Sequence, residues 1–500
     1  MPIFSSLGGA DITALLVLTF VAGSLYTKYR SGVKTTKLPG PPSHNPFFGL
    51  FAHIRKSTNQ VLLYDNWAKD YGPVYSLPMG FGHTDVVITD VKAASHFLAR
   101  DTMSYQQTPF SRVIINLLIN LVLTTLTPSY ASQRKALTPA FSNAALRGYI
   151  NVFYDSVYRR GKQSWSLERL KTEVQQWMNS ITLDNLGIAG FGYNFHCLDG
   201  NKPAVTNVFD AFQTPEKSGF FSSAIFFLIP ASTTFSSTKT AMQPIAEGLI
   251  KRMKKELIMV DDKHTDKTII GLLIKAESAS SGFTLSGDEI LAQWALIELA
   301  RNPEMQERLR NELAEFSGTD PTWEQLTLDL PYLNAVAQET LRCHPPVRSI
   351  PRVAMQDDVI PLSDLILTKA GELITELVIA KGTVIHCPIG QINQSDALWG
   401  ADAKEFKPER WVDRELLPGA KGIQGHHHVL TFSDGPRLCI GRNFALANFK
   451  ATLSVLIRNF SFELPGGINP PIGAHMGILP RPRIESEKGP RVPLRIKRLE

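Results

Sequence analysis

Along residues 60–71, QVLLYDNWAKDY, apolar positions recur every three or four residues, the period of a helix with one buried face. The stretch VYSLPMGFGHTDVVITD, 74–90, alternates about a glycine-rich centre and predicts a pair of strands. Helical spacing returns at 91–99. From about 128 to 316 nearly every segment predicts helix with short breaks, as in SITLDNLGIAGFG and EILAQWALIELARN. Residues 331–346 predict a helix stopped by Pro345 and Pro346. Residues 347–392 predict strands and turns, and a last long helix covers about 441–458. The sum is a mainly α chain with a minor β part, an α+β fold without βαβ repetition. No glycine-rich phosphate fingerprint follows a strand, which argues against a nucleotide-binding fold.

The N-terminus departs from this pattern. Residues 12–26, ITALLVLTFVAGSLY, carry no charge, and with the residues before them they approach the ~20 needed to cross a bilayer. Lys28, Arg30, Lys34 and Lys37 follow at once, which by the positive-inside rule places the body of the chain on the cytosolic side. No charged n-region precedes Asp11, so a retained anchor is favoured over a cleaved signal. Prolines 39, 41 and 42 then stiffen the segment that joins anchor to body. The expected organisation is a short tail at 1–11, a transmembrane anchor at 12–27, a basic proline-rich linker at 28–45 and one catalytic domain at 46–500. The expected location is the endoplasmic reticulum membrane, single-pass. The sequons at Asn393 and Asn459 are then expected to stay unmodified.

Composition narrows the function. The formal net charge of the 500 residues is +6, mild and not gathered into a stripe, so nucleic acid is not an expected partner. The four cysteines, Cys197, Cys343, Cys387 and Cys439, form no CxxC pair, which argues against a disulfide framework or a structural zinc site. The run His426–His428 reads as loop rather than as a metal site.

Cys439 has the most informative surroundings. It stands in FSDGPRLCIG, 432–441, just before an apolar helix. A helix N-terminus offers unpaired N–H groups and partial positive charge, both of which favour a thiolate. Gly435 and Gly441 would let the backbone turn tightly beneath something flat, and Arg437 supplies a fixed cation. Thiolate, guanidinium and a cleared surface suit a haem, with sulfur to iron and arginine to a propionate.

This segment resembles the haem-binding loop of the cytochrome P450 family, the haem-thiolate monooxygenases, through Phe432, Gly435, Arg437, Cys439 and Gly441. The resemblance extends to ETLR, with Glu339 and Arg342, and to FKPERW, with Arg410. It implies haem b as cofactor, Cys439 as the axial iron ligand and a buried Glu339–Arg342–Arg410 network beside it. By the same resemblance Arg134, in RKALTPAFS, and more weakly Arg352 contact a propionate. Tyr130 stands where the family usually has Trp or His. The stretches YGPVYSL and ITLDNLGIAGFGYNF look most like membrane-bound fungal members. The implied partners are a separate NADPH-dependent reductase and an apolar small-molecule substrate, in secondary metabolism. A basic face of Arg437, Arg442 and Lys450 is the expected reductase dock.

One family feature is missing. The distal helix usually carries A-G-x-[DE]-T, whose acid and threonine deliver protons to bound dioxygen. Here the flanks LSGDEILAQ and WALIELARNPEMQERLRNEL are fused at Gln293–Trp294. By comparison with the family roughly 17 residues are absent, about 25 Å of helix. The fused segment predicts an amphipathic helix with Ile290, Trp294 and Ile297 on one face. No distal catalytic pair is assignable. A transcript or gene-model defect is the favoured origin. An inactive variant, or a haem-thiolate isomerase acting on peroxides, stays open.

Overall fold

The computed structural model describes residues 33–43, 45, 48–57, 59–109, 111–112, 134–135, 137–164, 170–203, 288–316, 318–413, 416–465, 470, 472–475, 480–484 and 492–499. Tyr130, the anchor at 12–27 and most of the helix-patterned stretch before 288 lie outside these residues.

The first elements follow the sequence closely. After α1 (Phe51–Lys56) comes α2 (Gln60–Tyr71), capped by Asn59, whose side chain accepts from Leu62 N at 3.1 Å. Gly72, at φ 93°, ends it. Strands β1 (Val74–Pro78) and β2 (Thr84–Ile88) pair antiparallel, and α3 (Val91–Ala99) starts on Asp90, which accepts from Ala93 N at 2.8 Å. Next in order are β3 (Tyr105–Gln107), α4 (Asn143–Ser164), β4 (Leu170–Glu173), α5 (Val174–Phe191), α6 (Asp288–Arg301), α7 (Pro303–Leu313) and α8 (Pro331–Cys343).

Four strands follow: β5 (Ile350–Ala354), β6 (Asp358–Leu367), β7 (Leu373–Ile379) and β8 (Val384–Cys387). After several single helical turns comes α9 (Arg442–Asn459). The chain closes with β9 (Phe460–Glu463), β10 (Ile472–His475), β11 (Arg481–Ile484) and β12 (Pro493–Arg498).

The largest sheet has the order β1-β2-β8-β5-β3, with β2 and β8 parallel and the other neighbours antiparallel. β6 and β7 form a separate hairpin, β10 and β11 another. β12 joins β4 to β9 in a three-stranded sheet. β4 interrupts a region whose pattern predicts helix: four residues are too few to show a period, and their partner β12 lies some 300 residues away.

The core runs along α9, which packs on α4 and α6. Residues 444–457 of α9 are all buried, so its polar members need partners inside. Asn448 accepts from Asn185 Nδ2 at 2.6 Å, and Ser454 Oγ donates to Ala451 O at 2.9 Å.

α6 corrects an expectation. It is not amphipathic: every residue from Ile290 to Ala300 is buried, Gln293 and Glu298 included. A helix enclosed on all sides shows no polar stripe, so an apolar face read from Ile290, Trp294 and Ile297 describes only part of its packing.

Candidate functional site

The loop bearing Cys439 is built by two backbone devices. The Cys439 N–H donates to the Phe432 carbonyl at 2.9 Å, which closes residues 432–439 on themselves. Within that closure Gly435 adopts φ +66°, and a Cβ placed there would lie 2.4 Å from the Leu98 carbonyl oxygen. Gly435→Ala is therefore expected to cost at least ~1–2 kcal/mol, since strain and clash act together. A shift in denaturant midpoint at unchanged slope checks it. Gly441 is different: its φ is −83°, open to any residue, and a Cβ would meet only the Phe141 ring at 3.6 Å. It caps α9 but supplies no left-handed turn.

Cys439 is the exposed cysteine of the four. Burial pushes the Cys197 and Cys387 thiols up to about 12, and pushes Cys343 up further. Those three are held as neutral thiols, which sets the exposed Cys439 apart from them. The loop opens onto the positive end of an 18-residue helix, α9. Phe432 is buried beneath it, its ring edge-on to His426 at 5.9 Å. A soft sulfur ligand presented on a tight glycine turn over an apolar floor fits a haem iron.

The three histidines beside this loop are structural. His427 and His428 take left-handed backbone, φ 48° and 63°, and His428 Nδ1 lies 3.1 Å from Ile423 O. Among the described residues no three His, Cys, Asp or Glu side chains gather as a metal site. Burial, with His427, Arg442 and Lys450 adding to it, pushes His426 down from 6.5 to about 3. The folded chain thus resists a proton that the unfolded chain accepts. Stability is expected to fall as pH drops from about 6.5 towards about 3, by up to ~1.4 kcal/mol per unit from this group. His426→Leu should flatten that part of a stability–pH curve.

The arginines expected at the propionates come together, but on a residue the sequence reading missed. Arg352 grips the fully buried Asp101 with two hydrogen bonds, Nε–Oδ1 at 2.6 Å and Nη2–Oδ2 at 2.9 Å. Arg437 Nε donates to the Asp101 carbonyl at 2.8 Å and stands 3.4 Å from its carboxylate. Burial pushes the Asp101 carboxyl up, against the pull of both arginines. The two guanidiniums thereby share one anchor beside the Cys439 loop. Arg134 sits on a half-buried turn whose carbonyl accepts from Thr138 Oγ1 at 2.8 Å. Seven residues on, Phe141 meets Phe444 of α9 edge-on at 6.4 Å.

Glu339, Arg342 and Arg410 come together, with Glu339 and Arg342 hydrogen-bonded and Arg410 at ion-pair distance. Arg342 Nε and Nη2 donate to the two Glu339 oxygens at 2.8 and 2.7 Å, and both side chains have no exposed surface. Arg410 Nε stands 3.4 Å from Glu339, and its Nη1 stands 2.6 Å from Asp402. Glu339 also accepts from Lys407 N at 2.8 Å and from Trp411 Nε1 at 2.9 Å. Arg342 donates further to the carbonyls of Asn393, Ala403 and Glu405. Trp411 follows Arg410 directly in FKPERW; a donor adjacent to that motif is the signal that could have found it.

The expected docking face is corrected in part. Lys450 is buried, and its ammonium donates to Leu326 O and Asn334 Oδ1, so it faces α8 and not a partner. Its position in an all-round buried helix explains the error. Arg437 is turned inward to Asp101, and Arg442 is half-buried.

At the C-terminal end of α8, the fused segment is clamped in place. The Trp294 ring stacks on His344 at 4.0 Å between centroids and 5° between planes. His344 Nε2 lies 2.9 Å from Glu298 Oε1, which Arg301 also approaches at 3.4 Å. Burial alone would push Glu298 up; His344 and Arg301 outweigh it and hold the carboxylate below its usual range. Burial likewise keeps His344 below its ordinary value. The buried acid of α6, Glu298, is therefore engaged in structure.

A family model described as Cytochrome P450 matches residues 39–485. The chain belongs to the cytochrome P450 family. It is 42% identical over 532 residues to cytochrome P450 monooxygenase claQ of Ampulloclitocybe clavipes, covering 99% of both chains. Monooxygenase claP of the same organism is 43% identical over 534 residues, again covering 99% of each. A ganoderic acid synthetase of Ganoderma lucidum is 31% identical over 515 residues, covering 90% of this chain and 93% of that one. As a cytochrome P450 the chain is a haem-thiolate monooxygenase of fungal type, and its cofactor is haem with bound iron. P450 monooxygenases draw electrons from a redox partner, and no flavin-type motif is present in this sequence.

Proposed function

We propose that this P450 is membrane-anchored, holds haem iron through Cys439 and hydroxylates an apolar small molecule of secondary metabolism. The carrying observation is the exposed Cys439 on a closed glycine turn, with the other three thiols buried. Bound haem supplies the iron at which dioxygen is reduced, with one oxygen atom passing to substrate and the other leaving as water. By the family resemblance Phe432 would floor the sulfur side, and Arg437, Arg352 and Arg134 would offer cations for a propionate, the first two from their shared anchor on Asp101. NADPH electrons enter through a separate membrane flavoprotein.

Two observations support a lipid surface beside the body. The segment Thr35–Lys37 lies along the β6–β7 hairpin, with Thr36 N donating to Val378 O at 3.0 Å and Lys369 N to Lys37 O at 2.9 Å. On that hairpin Leu367 pairs with Leu373, and both are exposed with Leu365, while Ile366 faces inward. From residue 27 to residue 35 the chain spans at most ~28 Å, so an anchor at 12–27 would bring lipid near these leucines. Among the described residues no helix is long and apolar enough to cross a membrane, and 12–27 lies outside them.

The second reading, peroxide chemistry without oxygen activation, is favoured by α6. At Gln293–Trp294 the helix carries no acid–threonine pair, and Glu298 is engaged by His344. The alignment to claQ, 532 positions against 500 residues here, leaves at least 32 positions filled by the relative alone, which supports a missing segment. Reconstituting the chain with a fungal reductase separates the readings. NADPH-driven product supports the monooxygenase; product with peroxide alone supports the second. Sequencing messengers across codons 293–294 tests the transcript origin: a junction present in every isolate removes it.

A further inference from the structure

We infer that Asn393 and Thr431 form a latch that positions the Cys439 loop on the end of α8. The need for it begins with Pro345. In a helix the Leu341 carbonyl would accept from the N–H of residue 345, and proline has none. The Thr431 hydroxyl takes that place, donating to Leu341 O at 2.6 Å. Its one proton is thereby committed, so it can only accept from Asn393, whose Nδ2 stands 2.9 Å away.

That choice fixes the amide of Asn393. Its Oδ1 must face the other way, where it accepts the Leu430 N–H at 2.9 Å. Asn393 is wholly buried, and its carbonyl accepts Arg342 Nη1 at 3.0 Å. Asn393 thus joins the Glu339–Arg342 network, through its backbone carbonyl, to residues 430 and 431, through its side-chain amide. The next residue, Phe432, accepts the Cys439 N–H at 2.9 Å. The path from network to sulfur-bearing loop alternates hydrogen bonds with covalent steps within Asn393 and from Thr431 to Phe432.

Asn393 and Thr431 touch neither iron nor substrate; they are positioning residues. A ligand must be held within about 0.5 Å to bind productively, and this latch sets where the loop starts. Its meaning for catalysis rests on the reading of Cys439 as iron ligand; its existence does not.

Hydrogen exchange on the full chain tests the latch without haem. Thr431→Val keeps the volume and removes the hydroxyl. Amides of 430–439 are expected to exchange about tenfold faster, the effect of about one lost buried hydrogen bond, while α8 and α9 keep their protection. Thr431→Ser should restore the original rates. Asn393→Asp, which cannot donate as a carboxylate, should behave as Thr431→Val. In haem-loaded protein the share of carbonyl complex with the red-shifted thiolate band should fall in Thr431→Val and return in Thr431→Ser. Unchanged exchange at 430–439, equal loss across α8 and α9, or a serine variant as impaired as valine would overturn the latch. Altered exchange with an unaltered band would keep the latch and overturn Cys439 as its beneficiary.

Discussion

Glu339→Ala is expected to remove a large share of the fold's stability. The substitution removes the carboxylate that receives two hydrogen bonds from Arg342, one from the Lys407 backbone and one from the Trp411 indole. Arg342 would remain wholly buried with its charge uncompensated. Breaking a buried pair on one side costs ~3–5 kcal/mol, against a total stability of order 5–15 kcal/mol. Arg342→Lys should be nearly as severe, because an ammonium cannot reach Glu339 and the carbonyls of Asn393, Ala403 and Glu405 together. The control is Arg147→Ala, which breaks an exposed pair with Glu324 and should cost under ~1 kcal/mol. Denaturant midpoints for the three variants check the order.

Cys439→Ser is expected to do the opposite: remove the chemistry and spare the fold. The side chain is exposed, and the loop is closed by the backbone N–H of residue 439, which serine retains. Stability without haem should change by under ~0.5 kcal/mol. The thiolate–carbonyl band should disappear entirely, since a serine oxygen does not replace a soft thiolate on iron. Replacing Cys197, Cys343 or Cys387 should leave that band in place, because burial keeps those thiols protonated. Spectra of the four single variants, with melting curves for each, settle both halves.

Local pattern carried much of the fold. Gln60–Tyr71 and Val91–Ala99 match their expected ranges, and α8 ends before Pro345 as expected. These elements declare themselves through nearby caps and prolines. β4 and β12 could not, because short strands draw their stability from a distant partner. Within the site, Glu339 and Arg342 were legible as an i, i+3 pair, and their burial follows from the resemblance rather than from spacing. Asp101 was not legible: nothing local in LARDTM distinguishes a surface aspartate from one that binds two arginines. Lys450 misled because a lone lysine in an apolar helix reads as surface, whereas here it meets Leu326 and Asn334 inside. Asn393 was visible only as a sequon, and its structural work depends on Pro345 and Thr431, remote in sequence.

The most direct test is the spectrum of this 500-residue chain, reduced and exposed to carbon monoxide. A red-shifted thiolate–carbonyl Soret band is expected, absent in Cys439→Ser. No haem uptake, or a band typical of a neutral axial ligand, would contradict it.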